Sequence, residues 1–304
     1  MKKILCILTV IFILLFISFL ILKKADIPVV ELKETYAPPP SAFMDINGMS
    51  AHYRKQGNGP ALLLLHGTAS SLHTWEPWVE ILKDSFTCVS VDLPAFGLTG
   101  PAIDDDYSIK TYNSFISRLM IELSIDSFHI AGNSLGGYFA WNYALEYPEN
   151  VNKLILIDAA GFPGKPSQLS KIIRNPILAP ILKKISVRSL VEKNLKEVYY
   201  DDTAVTDELI DRYYKLSLRE GNRNALIVRS KQKSQSRIDQ LNRLEEPTLL
   251  MWGEEDPWIP ISYAHKFDSI IPDSRLIFYE KVGHIPMEEY PVKSAKDALK
   301  FLLE

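Results

Sequence analysis

The chain has 304 residues, 47% of them apolar and 23% charged, with a formal net charge of -3. That length accommodates one large α/β domain plus an insertion, and the mild negative balance excludes a general nucleic-acid binder, which is strongly basic. Its two cysteines, Cys6 and Cys88, form no CxxC pair, which excludes a zinc-finger spacing, a dithiol redox motif and a disulfide-built fold.

The first element is apolar. Lys2 and Lys3 precede an uncharged run from Ile4 to Leu22, and Lys23 and Lys24 follow it. As a helix, residues 4–22 would span about 28 Å, close to the ~30 Å hydrocarbon core of a bilayer. No A-x-A cleavage pattern ends the run, so residues 1–24 are expected to be an uncleaved single-pass membrane anchor. The cationic groups at the extreme N-terminus favour the short tail inside and the globular domain on the extracytoplasmic side. Residues 25–41 hold Pro28 and Pro38-Pro39-Pro40 and read as a stiff, extended linker.

The globular part opens with a hairpin, Phe43–Ile46 and Met49–Arg54 about Asn47-Gly48, a dipeptide favoured in type I′ turns. Apolar runs at Ala61–Leu65, Thr87–Asp92, Ser127–Ala131, Val151–Ile157, Thr248–Trp252 and Arg275–Tyr279 read as buried strands. Amphipathic stretches such as Tyr107–Leu123 and Leu135–Tyr147 separate them. This alternation predicts a mostly parallel sheet with helices on both faces, whose active sites gather at the carboxyl ends of strands. Between Ile157 and Thr248 no strand pattern recurs, and the gap is far too long for a plain loop. It reads as a helical cap over 162–241, inserted after the sixth strand, which divides the core into 42–161 and 242–304.

Gly132-Asn133-Ser134-Leu135-Gly136 follows a predicted strand and opens a predicted helix, the context that a G-x-S-x-G turn requires. The glycines let strand and helix cross closely, and the turn lifts Ser134 beside a helix N-terminus that favours negative charge. A serine hydroxyl is a weak nucleophile until a base takes its proton. Of six histidines, His284 lies just past the last strand, in a loop on the active face. His52 falls in the hairpin, His129 inside a strand, and His73 and His265 at surface positions. Asp256, in the turn after the Thr248–Trp252 strand, is the candidate acid; Glu254 and Glu255 read as solvated neighbours, and Asp158 is the rival. The chain order Ser134, Asp256, His284 is that of one common triad type. The N–H groups of Thr68 and Leu135 are the candidate oxyanion donors, with His66 holding the loop by a hydrogen bond. No His/Asp/Glu cluster points to a metal, and no cofactor is expected.

At these residues, from about Phe43 to Leu303, the sequence resembles the α/β-hydrolase superfamily. It is most similar to the capped branch that includes monoacylglycerol-lipase-like esterases, meta-cleavage-product (C–C bond) hydrolases and cofactor-free haloperoxidases. The resemblance is carried by His66-Gly67, Asp92-Leu93-Pro94-Ala95-Phe96-Gly97, the elbow with Gly137, Gly253-x-x-Asp256 and Gly283-His284. The family usually has Gly where Ala95 stands. Haloalkane dehalogenases and epoxide hydrolases carry Asp at the nucleophile, which Ser134 argues against. The loop His66-Gly67-Thr68-Ala69-Ser70-Ser71 departs from the glycine-rich loop common in C–C hydrolases. The resemblance implies acyl transfer through Ser134, by a carboxylesterase or lipase. The alternatives are C–C hydrolysis or perhydrolysis on the same triad, or a membrane-tethered ligand receptor on this scaffold.

Trp75, Phe96, Tyr138 and Trp258 fall near active-face loops and are expected to line the substrate pocket. Ile172, Ile173, Ile177, Leu178, Ile181 and Leu182 are expected to add an apolar lining from the cap. The expected substrate is a small apolar ester, and a membrane-derived lipid is favoured by the anchor. Between Lys165 and Lys196 the cap carries eight cations against Glu192 alone, a second expected contact with anionic lipid.

Overall fold

The computed structural model describes residues 20–164, 173–176, 178–232 and 236–304, together with Lys3, Ile7, Thr9, Ile13 and Ile17. Most of the apolar run over 4–22 therefore lies outside the described residues. Among those described, no helix is long and apolar enough to cross a membrane.

One eight-stranded sheet organises the molecule, in the order β1-β2-β4-β3-β5-β6-β7-β8. The strands are β1 Ser41–Ile46, β2 Met49–Gln56, β3 Ala61–Leu65, β4 Thr87–Val91, β5 Phe128–Asn133, β6 Val151–Ile157, β7 Thr248–Gly253 and β8 Ser274–Tyr279. Only the β1–β2 and β2–β4 pairings are antiparallel. Asn47 and Gly48 both have positive φ, 54° and 79°, as a type I′ turn demands. The parallel strands are apolar throughout because both faces are covered. Leu63 and Leu65 point into one core and Leu62 and Leu64 into the other.

The helices are α1 Val29–Tyr36, α2 Glu76–Leu82, α3 Ile109–Glu122, α4 Leu135–Glu146, α5 Ala179–Leu182, α6 Arg188–Val198, α7 Asp207–Ser217, α8 Asn222–Lys231, α9 Ser262–Ile270, α10 Pro286–Glu289 and α11 Pro291–Leu303. Helices α5 to α8 lie between β6 and β7, in the stretch expected to be the cap. The cap cations are partly spent inside it: Arg188 pairs with Asp207 and Asp211, and Lys196 with Glu192.

The extended linker expected over 25–41 is corrected. Residues 29–36 are helix α1, and Pro28 sits at its N-cap with φ -56°. Proline starts a helix readily because its fixed φ suits the first turn and its missing N–H is not needed there. Leu32 packs with Leu98 of the core and Leu216 of the cap. Ile27 exchanges backbone hydrogen bonds with Leu218 and Glu220, at 2.8 and 3.0 Å. This segment straps the cap to the core.

Candidate active site

The strand ends of β3, β5, β6 and β7 converge on one edge. At the end of β5 the chain reverses into α4, and Ser134 takes φ 53°, ψ -113°, a region side chains rarely adopt. The crossing is tight. A Cβ on Gly132 would run into the backbone of Gly136, and one on Gly136 into the carbonyl of Leu65. Asn133 Nδ2 donates to the carbonyls of Ile157 at 3.2 Å and His284 at 3.0 Å. That side chain, which the sequence did not single out, ties the serine turn to the histidine loop.

His284 is buried, and its Nδ1 lies 2.7 Å from Asp256 Oδ2. The other carboxylate oxygen, Oδ1, accepts from the N–H groups of Trp258 at 2.7 Å and Ile259 at 3.0 Å. Both oxygens of Asp256 are thus fixed, and Nε2 of His284 is left for the serine side. Glu254 and Glu255 are exposed. Asp158, the rival acid, is fully buried near the same pair, and its Oδ1 accepts from Gly253 N–H at 3.1 Å. Burial first, and then the charge of Asp256, raises its carboxyl well above the usual range. The carboxylate in contact with His284 Nδ1 is that of Asp256.

The histidine loop is clamped from the cap side. His284 N–H donates to Val198 O at 2.8 Å, at the end of α6. Glu289 accepts from Gly283 N–H at 2.9 Å and from Tyr200 N–H at 2.7 Å. Sequence reasoning missed Glu289 because nothing local distinguishes it from its neighbour Glu288.

Across the site, His66 Nε2 accepts from Leu93 N–H at 3.0 Å, so its Nδ1 carries the proton and donates to Gly67 O at 2.7 Å. Burial lowers its pKa, which keeps the ring neutral. Gly67 lies against the Ser134 turn: a Cβ there would approach Ser134 Cβ to 3.3 Å. Thr68 follows it on the cavity wall, and Leu135 opens α4. Among the described residues neither the Thr68 nor the Leu135 N–H has a protein acceptor. Ala95, where the resemblance leads one to expect Gly, has φ 82°, the conformation that favours glycine.

Ser134, His284 and Thr68 line one cavity of about 390 Å³, and Trp258 lines it with them. The other three expected pocket residues do not. Trp75 is fully buried against Trp78 at 5.3 Å between ring centroids. Phe96 packs edge-on to His66 within the core. Tyr138 borders a separate cleft with Ser108 and Gln232. These aromatics face the core or another opening because loop proximity does not fix the direction of a side chain. The apolar wall comes instead from Val191, Leu195 and Val198 of α6, from Leu226 of α8, and from Ile173. Leu178 and Ile181 are exposed, and Ile172 and Ile177 lie outside the described residues. His73, expected at the surface, is buried, and burial lowers its pKa to about 4.

A family model described as alpha/beta hydrolase fold matches residues 60–291. A 2-hydroxy-6-oxononadienedioate/2-hydroxy-6-oxononatrienedioate hydrolase of Comamonas testosteroni is 26% identical over 280 residues, covering 86% of this chain and 96% of that protein. Among solved structures, a meta-cleavage product hydrolase from Pseudomonas fluorescens IP01 superposes with a TM-score of 0.77 at 23% identity, over 86% of this chain and 97% of that one. A membrane phospholipase A, described as a bacterial virulence factor, gives a TM-score of 0.74 at 24% identity, over 99% of this chain and 98% of that one.

Proposed function

The chain belongs to the alpha/beta hydrolase fold family, and from that membership we propose that it is a serine hydrolase cleaving an ester of an apolar acyl group. The observation that carries this reading is the Asp256–His284 pair at 2.7 Å, both side chains buried, on the cavity that holds Ser134. In the cycle we propose, His284 Nε2 takes the Ser134 Oγ proton as Oγ attacks the ester carbonyl. The N–H groups of Thr68 and Leu135 receive the oxyanion, each contributing about 2.7–4 kcal/mol at the transition state. The imidazolium, stabilised by the Asp256 carboxylate, then protonates the leaving alkoxide. Water repeats both steps on the acyl-enzyme and releases the acid.

The apolar residues that α6 and α8 bring to the cavity suit an acyl chain. A membrane-derived lipid ester is our preferred substrate, since the run Ile4–Leu22 would hold the domain at a bilayer. A second reading, C–C hydrolysis on the same residues, is favoured by the relative of Comamonas testosteroni, whose name gives a dienedioate substrate.

The deciding experiment is hydrolysis of 4-nitrophenyl esters from acetate to palmitate, by the wild type and Ser134→Ala. We expect turnover that peaks at medium or long chains and falls by about 10³-fold or more in the variant. Silence across the series from a folded protein that still labels with a fluorophosphonate, together with cleavage of a ring-fission dienone, would move the assignment to C–C hydrolysis. A wild type that neither turns over nor labels would overturn both.

A further inference from the structure

The cavity that contains Ser134 is unbalanced in charge. Arg174 and Arg229 both line it, and among the described residues no Asp or Glu does. Several other arginines of the insertion have acidic partners, Arg188 with Asp207 and Asp211 and Arg237 with Glu146, while Arg219 donates only to the carbonyls of Glu220 and Thr99 among the described residues. Neither cavity arginine has an acidic partner among the described residues. Arg174 Nε donates to the Ser230 carbonyl at 3.0 Å. Arg229 projects from α8, its guanidinium 5.8 Å from the Phe96 ring and in contact with the Tyr112 hydroxyl, and its Nε is buried with no hydrogen-bond partner among the described residues. Arg229 also borders the neighbouring cleft, but among the described residues the one carboxylate lining that cleft is Glu146, already taken by Arg237.

A buried guanidinium N–H without an acceptor carries a desolvation cost that an anion would remove. The planar fork of arginine suits the paired oxygens of a carboxylate or phosphate. Leu195, Leu226 and Trp258 share the cavity with these cations, so its walls fit an apolar body as well as a charge. We infer that Arg229, assisted by Arg174, forms an anion subsite, and that the substrate cleaved at Ser134 is an amphipathic anion. Its apolar body lies along α6 and its carboxylate or phosphate group meets Arg229. The inference rests on Ser134 being the nucleophile of this cavity. It adds that an uncharged ester is a poor mimic of the natural substrate.

The test uses the full-length chain and the rate at which a neutral fluorophosphonate labels Ser134. Hexanol, hexanoate and hexyl phosphate are added as protecting compounds of equal chain length. In the wild type, at least one of the two anions should protect at a concentration about tenfold or more below that of hexanol. Whichever anion is stronger names the chemistry of the missing group. In Arg229→Gln the preference for the anion over hexanol should collapse toward unity, and Arg229→Lys should restore part of it. Because the ratio is taken within each variant, any change in the labelling rate itself cancels. Equal protection by hexanol and both anions in the wild type would overturn the subsite, as would a preference that survives in Arg229→Gln. Failure of the wild type to label, or labelling that persists in Ser134→Ala, would instead overturn the nucleophile assignment and take the subsite with it.

Discussion

Glu289 touches neither Ser134 nor Asp256, yet its two oxygens hold Gly283 on one side and Tyr200 on the other. The position of His284 therefore depends on a carboxylate whose pKa is pushed from 4.5 to about 7, chiefly by burial. The sign of the consequence follows. Between those values the folded state keeps a proton that the unfolded state has released, so unfolding becomes easier as pH rises. This contribution to stability is intact below about pH 4.5 and is lost as pH climbs through about 7, at no more than ~1.4 kcal/mol per pH unit. Glu289→Gln removes the titration while keeping an oxygen to accept from one N–H. We expect the urea midpoint of the wild type to fall more steeply than that of the variant between about pH 5 and 7. Parallel curves would return Glu289 to an ordinary acid. Residues of this kind are hard to read in a sequence. Ser134 and His284 stand in turns whose neighbours mark them, whereas Glu289 acts through contacts with one segment more than eighty residues away and another six residues back. Trp75 makes the same point from the other side: its place near the active-face loops was legible, and its inward direction was not.

At the level of elements, the strands were legible because a parallel strand covered on both faces is a continuous apolar run, as β3 and β7 show. The crossing of β5 and α4 was legible through its glycines. Its tightness is a property of three segments at once, since Gly136 faces the carbonyl of Leu65 at the end of β3. Adding a methyl group there pushes backbone against backbone, which no rotamer change relieves. Gly136→Ala should cost about 1–3 kcal/mol or more by overpacking, measured as a drop in the urea midpoint. It should also lower the rate of fluorophosphonate labelling, because the same shift moves Leu135 N–H away from Thr68. A variant with unchanged midpoint and labelling would mean that α4 slides without cost, contrary to the packing described. Helix α1 was not legible. It buries a single residue, Leu32, so no apolar stripe announces it, and Pro28 read as part of an extended linker when it stands at the N-cap of a helix.

For the molecule as a whole, α1 changes where the folded unit begins. Leu32 meets Leu98, whose N–H donates to the buried carboxylate of Asp92 at 2.7 Å, and Leu216 of cap helix α7. Tyr36 offers its carbonyl to His73 Nε2 at 2.8 Å, and Arg223 of α8 pairs with Asp26 at 2.5 Å. Core and cap are thus joined by a third piece that precedes both in the chain, and the cap supplies the α6 wall and the α8 arginine of the cavity. Loosening the strap should loosen the cap. Leu32→Ala is expected to lower stability by about 2–3 kcal/mol, the range for a buried leucine whose surroundings partly collapse. A sharper comparison sets a chain beginning at Ala25 against one beginning at Ser41, both lacking the apolar run. The first keeps every contact named above and should match the full-length protein in urea midpoint and fluorophosphonate labelling. The second loses the contacts of Asp26, Leu32 and Tyr36, and its midpoint should fall by more than that of Leu32→Ala, with labelling slowed as the cap shifts. If the two chains behave alike, α1 is a passenger on the surface, and the cap is held by its own packing on the sheet.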